Sequence, residues 1–366
     1  MSHRRRMIAS LALGLALVWA LPGAEALAQT KGEGLSLTKI QIIDGAKKEG
    51  KLSISPAFNE SSIPVLVKAF EKKYPFIKVT STSADGITAY QKQLFELSAG
   101  RTNLDVFSTN IGFWSQYFKQ NLVKKVDFMG MAKAGHLDIP LKMIDDSGMV
   151  IWLGSYTGVL VYNTKLVPPD RVPKSWEACN DPYFKGKFTV DTKPNVLSWL
   201  TPAWGEEKVL SFARKVKENK PLFSRGNTRN LAALTSGEAL MNCGNYVHST
   251  QRAINTDPSA PIKMVVPDPF PMSFHEPEAI YTGAKNVHAA LLWLDFLASK
   301  EGQELAESLE PGRASFLNEG TLAGKLMKGA NVSLCGSDCR GTEEKIMEKI
   351  AVQAWEFPKV GYTPKQ

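Results

Sequence analysis

The chain has 366 residues, is 43% hydrophobic and 22% charged, and carries 44 basic against 36 acidic residues for a formal net charge of +8. That length exceeds what one hydrophobic core usually organises, so two lobes are expected. The charges are scattered, with no basic run interleaved with aromatics and no zinc-finger spacing, which excludes a nucleic-acid binder.

The first 28 residues read as a signal peptide cleaved after Ala28: Arg4, Arg5 and Arg6 precede the apolar run Met7 to Leu21, and Ala26-Leu27-Ala28 supplies the small-x-small site. The run falls short of the ~20 residues that a membrane anchor needs. Removing this segment leaves 41 basic and 35 acidic residues, a net +6. No cysteine sits at the cleavage point, so a soluble protein outside the cytoplasm is expected.

Lys51-Leu-Ser-Ile-Ser-Pro reads as a short strand, and Ile63, Leu66, Val67, Phe70 and Tyr74 recur at helical spacing. Pro64 suits the first turn of that helix, whereas Pro75 ends it and opens the strand Ile77 to Thr80. A second helix, Ile87 to Ala99, presents Tyr90, Leu94 and Leu97 on one face and stops at Gly100; the strand Leu104 to Ser108 follows. Strand, helix and strand in alternation build a parallel sheet, so the first lobe is α/β. Met149 to Asn163 is continuous strand, suited to a long crossing segment.

From Lys174 a second α/β lobe is predicted. It contains a short helix at Ser175-Trp176, a break at Asp181-Pro182, the strand in "YFKGKFTVDTKPN" and a helix from Glu206 to Asn219 with Val209, Phe212, Ala213 and Val216 inward. Leu231 to Met241 reads as helical and "CGNYVHST" as a polar, glycine-containing loop. "PIKMVVPDPFPMS" reads as one strand that makes the return crossing, with His275-Glu276 on the surface of the hinge. The helix Val287 to Ala298, with Val287, Ala290, Leu291, Leu294 and Leu297 inward, then packs back on the first lobe. The expected lobes are 39–153 with 275–319, and 154–274 with 320–366. Two crossings make a two-segment hinge.

Four cysteines in an exported chain favour disulfides and allow three pairings, of which the preferred one closes a small loop between Cys335 and Cys339 and leaves Cys179 for Cys243. Small polar residues follow each strand at Asn59, Asp85, Asn110 and Asn195. Helix capping accounts for most of them, yet in open parallel sheets such loops lie at the edge where unpaired helix N–H groups hold polar or anionic solutes. Aromatic candidates near these loops are Phe58, Trp114, Tyr156, Trp199 and Tyr246. There is no Gly-x-Ser-x-Gly elbow, His-Glu-x-x-His pair or phosphate-binding Gly-x-x-x-x-Gly-Lys-Ser/Thr loop, so no enzyme, cofactor or metal centre is expected.

Five passages in order, "AFEKKYPFIKV", "LFELSAGRTNLDVFST", "VYNTKLVPPDRVPKSWEACNDPYFKGKFTVD", "TSGEALM" and "AALLWLDFLASKEGQE", resemble the periplasmic solute-binding proteins of ABC importers, in the class that includes binders of ferric iron, thiamine, polyamines and phosphonates. The resemblance implies a two-lobed, type II-like periplasmic-binding-protein fold and a periplasmic monomer. It also implies a small-molecule solute and, as partners, a membrane permease with a cytoplasmic ATPase. Ferric-iron members typically use a histidine after the first strand and adjacent tyrosines in the second lobe. Here the first loop reads "SPAFNESS" and the second position Asn245-Tyr246-Val247-His248, so a small polar or anionic organic solute is expected in place of iron. The expected contacts are Phe58, Asn59, Asp85 and Asn110 from the first lobe, with Tyr156, Thr157, Asn195, Tyr246 and His248 from the second. A ferric-iron receptor, a sensory binding protein and an exported hydrolase or lyase on a similar scaffold are the alternatives.

Overall fold

The computed structural model describes residues 34–83, 87–109 and 113–359, so the signal peptide and its cleavage after Ala28 lie outside the described residues. The chain begins with α1 (Lys39–Glu49), β1 (Lys51–Ser55), α2 (Ile63–Lys73), β2 (Lys78–Ser81), α3 (Ile87–Ser98), β3 (Val106–Ser108), α4 (Trp114–Lys119) and α5 (Phe128–Lys133). Local chemistry sets these ends. Thr38 and Gln41 form a reciprocal capping box at the start of α1, and Gly50 closes it at φ 65°. Pro64 occupies the first turn of α2, which stops at Tyr74, the residue before Pro75.

The long β4 (Ile151–Asn163) leads to β5 (Phe188–Asp191), α6 (Asn195–Ser198), α7 (Thr201–Glu218), β6 (Leu222–Ser224), α8 (Asn227–Thr235), β7 (Met241–Tyr246), α9 (Val247–Thr256), β8 (Ile262–Val265) and β9 (Phe270–Ile280). The chain continues through α10 (Val287–Ala298), α11 (Lys300–Leu309), α12 (Leu322–Met327), β10 (Val332–Cys335) and α13 (Ser337–Lys349). Among the described residues no helix is long and apolar enough to cross a membrane.

The strands order as β2-β1-β3-β9-β4-β7-β5-β6, with β10 on β9 and β8 on β4. β1 pairs in parallel with β2 and β3, and β5 pairs in parallel with β6 and β7. Two antiparallel strands join these parallel groups: β4 and β9 register from Ile151 opposite Glu278 to Thr157 opposite Met272. At about 3.3 Å per residue, the 13 residues of β4 extend ~43 Å and reach both lobes. Ile151 and Leu153 lie in one core with Phe70 and Trp293, while Leu160 lies in another with Trp176 and Phe188. On β9, Ile280 joins the first core, and Phe270 and Met272 join a third with Leu231 and Val159. Each crossing strand is thus anchored at both ends by apolar burial.

α10 is buried from Ala289 through Ala298, not along one face only. It lies against α1, α11 and the sheet, so apolar side chains cover nearly all of it, and the one buried charge on it, Asp295, is paired with Lys39 at 2.5 Å. Its N-terminal approach is tied down by the buried carboxylate of Asp105, which accepts from Ser53 N at 3.0 Å, Lys285 N at 2.9 Å, Asn286 N at 3.0 Å and Asn286 Nδ2 at 2.9 Å. Disulfides join Cys179 to Cys243 and Cys335 to Cys339.

Two local expectations are corrected. The helix predicted to reach Met241 stops at Thr235, because the chain turns at Gly237, φ 82°, and Met241 opens β7. The single strand expected in "PIKMVVPDPFPMS" is two. Pro267 and Pro269 interrupt the ladder between them, so β8 pairs with β4 at Leu160 to Asn163 and β9 pairs with β4 from Ile151 to Thr157. A third stretch, after α11, also runs beside β4: Ser155 N donates to Arg313 O at 3.0 Å, and Phe316 N donates to Ser155 Oγ at 2.8 Å.

Candidate functional site

Tyr246 ends β7 and is the N-cap of α9, with φ −80° and ψ 139°. Tyr246 and His248 therefore stand on a strand-to-helix junction, where a loop was expected. The extended φ/ψ of the cap turns the chain sharply and presents both rings beside the crossing strands. Tyr156, midway along β4, lies flat on His275 of β9, with centroids 3.8 Å apart and planes 6° from parallel. Tyr246 and His248 stand 5.0 Å and 4.7 Å from the Tyr156 ring, and Trp199, just past α6, stacks on Tyr246 at 5.6 Å.

Tyr156, Tyr246 and His248 carry no charge at neutral pH. Loss of water raises the Tyr156 phenol above its ordinary pKa, and the facing Glu276 adds to the effect. Desolvation, then the nearby Tyr156, raises Tyr246 as well. For His248, desolvation followed by the charges of Arg313 and Arg252 pushes the pKa down to about 3, and its Nδ1 is buried with no hydrogen-bond partner. Protonated phenols and a neutral imidazole recognise polar groups by hydrogen bonding and stacking, not by ionic attraction.

Arg313 knits the junction together. Its Nε donates to Glu276 Oε1 at 2.7 Å, and Nη1 donates to Glu310 Oε2 at 2.5 Å and to Asn59 Oδ1 at 3.1 Å. Nη2 donates to Ala57 O at 3.1 Å. Glu310 in turn accepts from Asn59 N at 2.9 Å, and Glu278 accepts from Ala57 N at 3.2 Å and Trp293 Nε1 at 3.0 Å. The loop after β1 is thereby fastened to β9 and to the stretch after α11. Burial raises the carboxyl of Glu276, and that of Glu278 rises to about 7. His275-Glu276, expected on the hinge surface, lies inside: Glu276 is only 5% exposed, with φ 53°, and His275 is covered by Tyr156. Burying this pair against the arginine and the tyrosine ring outweighs the strand's default geometry.

A cavity of about 350 Å³ opens beside the crossing strands. Its walls come from the segment before β4 (Lys142, Asp145, Asp146), from β4 and β9 themselves (Trp152, Phe274), and from Pro202 of α7, Leu334 of β10 and Cys339 of α13. Of the expected contacts, the seven among the described residues, Phe58, Asn59, Tyr156, Thr157, Asn195, Tyr246 and His248, lie outside its lining. Tyr156, Tyr246, His248 and Asn59 do meet in or around the Arg313 and ring cluster. Phe58 packs into the first core, Thr157 is fully buried with its hydroxyl unpartnered, and Asn195 donates to Glu343 at 3.0 Å, which also accepts from Trp199 Nε1. Asp85 and Asn110 lie outside the described residues. Among the described residues no three His, Cys, Asp or Glu side chains gather as a metal-holding group.

A family model for bacterial extracellular solute-binding proteins matches residues 65–316. An uncharacterized protein of Haemophilus influenzae is 29% identical over 142 residues, 37% of this chain and 40% of that protein. The chain thus spans about two fifths of the length of the curated relative it matches. Among solved structures, a Bordetella ferric binding protein superposes with a TM-score of 0.68 at 17% identity, covering 84% of this chain and all of that one. Trichodesmium IdiA (FutA), in complex with iron and citrate, gives 0.67 at 15% identity, with 83% and 99% covered. AfuA of Actinobacillus pleuropneumoniae, with fructose-6-phosphate bound, gives 0.59 at 19% identity, with 85% and 100% covered. At these identities the likeness is one of fold, the two-lobed architecture of periplasmic binding proteins. The match over most of its length makes this chain a member of the bacterial extracellular solute-binding protein family.

Proposed function

We propose that the mature protein is a periplasmic, monomeric receptor that traps one small polar or anionic organic solute between its lobes and hands it to a membrane permease coupled to a cytoplasmic ATPase. The lobes are 39–153 with 275–319 and 154–274 with 320–366. The observation that carries this reading is the cavity walled from both sides of the β4 and β9 crossing. A solute there touches the first lobe, the hinge and the second lobe at once, so its full set of contacts exists only when the lobes are closed. No chemistry on the solute is required. The test is mass spectrometry of whatever co-purifies with the native protein, followed by a thermal-shift titration of that compound. A native-state ligand raises Tm by mass action, and absence of any such compound, together with turnover of candidate esters or glycosides, would favour a hydrolase.

A second reading, ferric iron, gains support from one arrangement. The local sequence shows a single tyrosine at the second-lobe position, but the fold places Tyr156 5.0 Å from Tyr246, with two imidazoles beside them. Phenolate oxygen is a hard donor that suits Fe(III). Addition of ferric citrate to the apo protein would produce a tyrosinate charge-transfer band if this reading holds.

A further inference from the structure

Asn59 is exposed in the loop after β1, yet its polar groups are almost all engaged. Its N–H donates to Glu310 at 2.9 Å, its carbonyl accepts from Ser62 N at 2.8 Å and Ile63 N at 3.2 Å, and its Oδ1 accepts from Arg313 Nη1 at 3.1 Å. An arginine only donates, so the carboxamide oxygen faces it and the NH2 points the other way. That NH2 has no partner among the described residues. Arg313 is itself fixed, because Nε is tied to Glu276 and Nη2 to Ala57 O, and Glu310 is only 7% exposed. A surface asparagine is ordinarily free to rotate, and ordering one costs side-chain entropy. A buried ion triad is also a weak source of stability, since apolar groups of similar volume often serve as well or better. What it delivers here is a preorganised pair of N–H donors. These donors stand beside the half-buried rings. The Arg313 guanidinium lies 6.0 Å from the centre of the Tyr156 ring, and the Gly312 backbone runs so close to α9 that a Cβ there would stand 2.9 Å from Val247 Cγ1 and 3.3 Å from His248 N.

We propose that Arg313 and Glu310 are positioning residues for solute capture, holding Asn59 so that its NH2 donates to an acceptor oxygen of the solute, a carboxylate, phosphoryl or hydroxyl group. This rests on the receptor reading and adds a contact outside the cavity lining. The experiment has two readouts on the mature protein. With isotopic nitrogen in the asparagines, the Asn59 side-chain NH2 signals, assigned by their loss in Asn59→Asp, should move in Arg313→Lys, which keeps a charge for Glu276 but lacks the fork that also reaches Asn59 and Ala57. Calorimetric titration with inorganic phosphate, citrate and fructose 6-phosphate is the second. At least one should bind, shift those signals, and lose about tenfold in affinity in both variants. Asn59→Asp still offers Arg313 an oxygen and turns the outward group from donor to acceptor, so the frame survives while recognition is inverted. Signals unmoved by Arg313→Lys would overturn the positioning role. Binding that leaves the Asn59 signals or the Asn59→Asp affinity unchanged would overturn the donor role. Silence toward all three probes would overturn the acceptor-oxygen assignment, and the receptor reading would fall with it only if no compound co-purifies with the native protein.

Discussion

Tyr156 of β4 and His275 of β9 are stacked face to face, 3.8 Å between centroids, at the point where the two crossing strands pass between the lobes. Each ring sits on a strand anchored in two cores, so the contact reports the geometry of the hinge directly. Replacing Tyr156 with Ala removes the stack and its contacts with Tyr246 and His248. An aromatic pair contributes about 1 kcal/mol beyond area burial, and the partly exposed ring adds a reduced burial loss, so a destabilisation of about 2 kcal/mol is expected. Urea unfolding of the variant measures it.

Arg313 balances two buried carboxylates, Glu276 and Glu310, and holds the backbone of Ala57 and the amide of Asn59. Arg313→Met leaves those carboxylates unpaired. Breaking such a buried pair costs about 3–5 kcal/mol, and the loop after β1 should lose its anchor. Hydrogen exchange at Asn59, whose N–H donates to Glu310, would then accelerate. Arg313→Lys is expected to restore only part of the protection, because an ammonium cannot reproduce the fork that reaches four acceptors.

Glu278 provides a pH signature. Burial raises its pKa from an ordinary 4.5 to about 7, so between those values the folded state holds a proton that the unfolded chain has released. Stability contributed by this group is fully present below pH 4.5 and is lost as pH rises toward 7, by on the order of 3 kcal/mol. Glu278→Gln should flatten that part of the stability profile. Glu276, Asp295 and Glu307 are also raised by burial, so the slope diminishes without vanishing. Guanidinium titrations at pH 5, 6 and 7.5 would show it, and an unchanged slope in the variant would refute this role for Glu278.

The two disulfides should differ in weight. Cys179–Cys243 spans 64 positions and Cys335–Cys339 spans 4. Chain-entropy arguments assign about 4 kcal/mol to the long closure and about 2 kcal/mol to the short one. Paired Cys→Ser variants compared by Tm under oxidising conditions test the order, with the Cys179/Cys243 pair expected to lose more.

Much of the scaffold was legible in the sequence. The stop of α2 before Pro75, the long β4, the helix Val287–Ala298 and the alternation of strand and helix in both halves all depend on residues within a few positions of one another. Periodicity, proline geometry and capping act at that range. They determine where elements begin and end before any distant segment arrives.

The site was decided later. Nothing near Tyr156 in the sequence announces His275, and nothing near Glu276 announces Arg313. Strand register brings the first pair together, and the stretch after α11, hydrogen-bonded to Ser155, delivers the second. The same register encloses the cavity between residues drawn from five separate parts of the chain. Local spacing fixes an element's type and amphipathic face, but which distant side chains meet across a sheet depends on pairing and burial, free-energy terms that exist only once the lobes have packed.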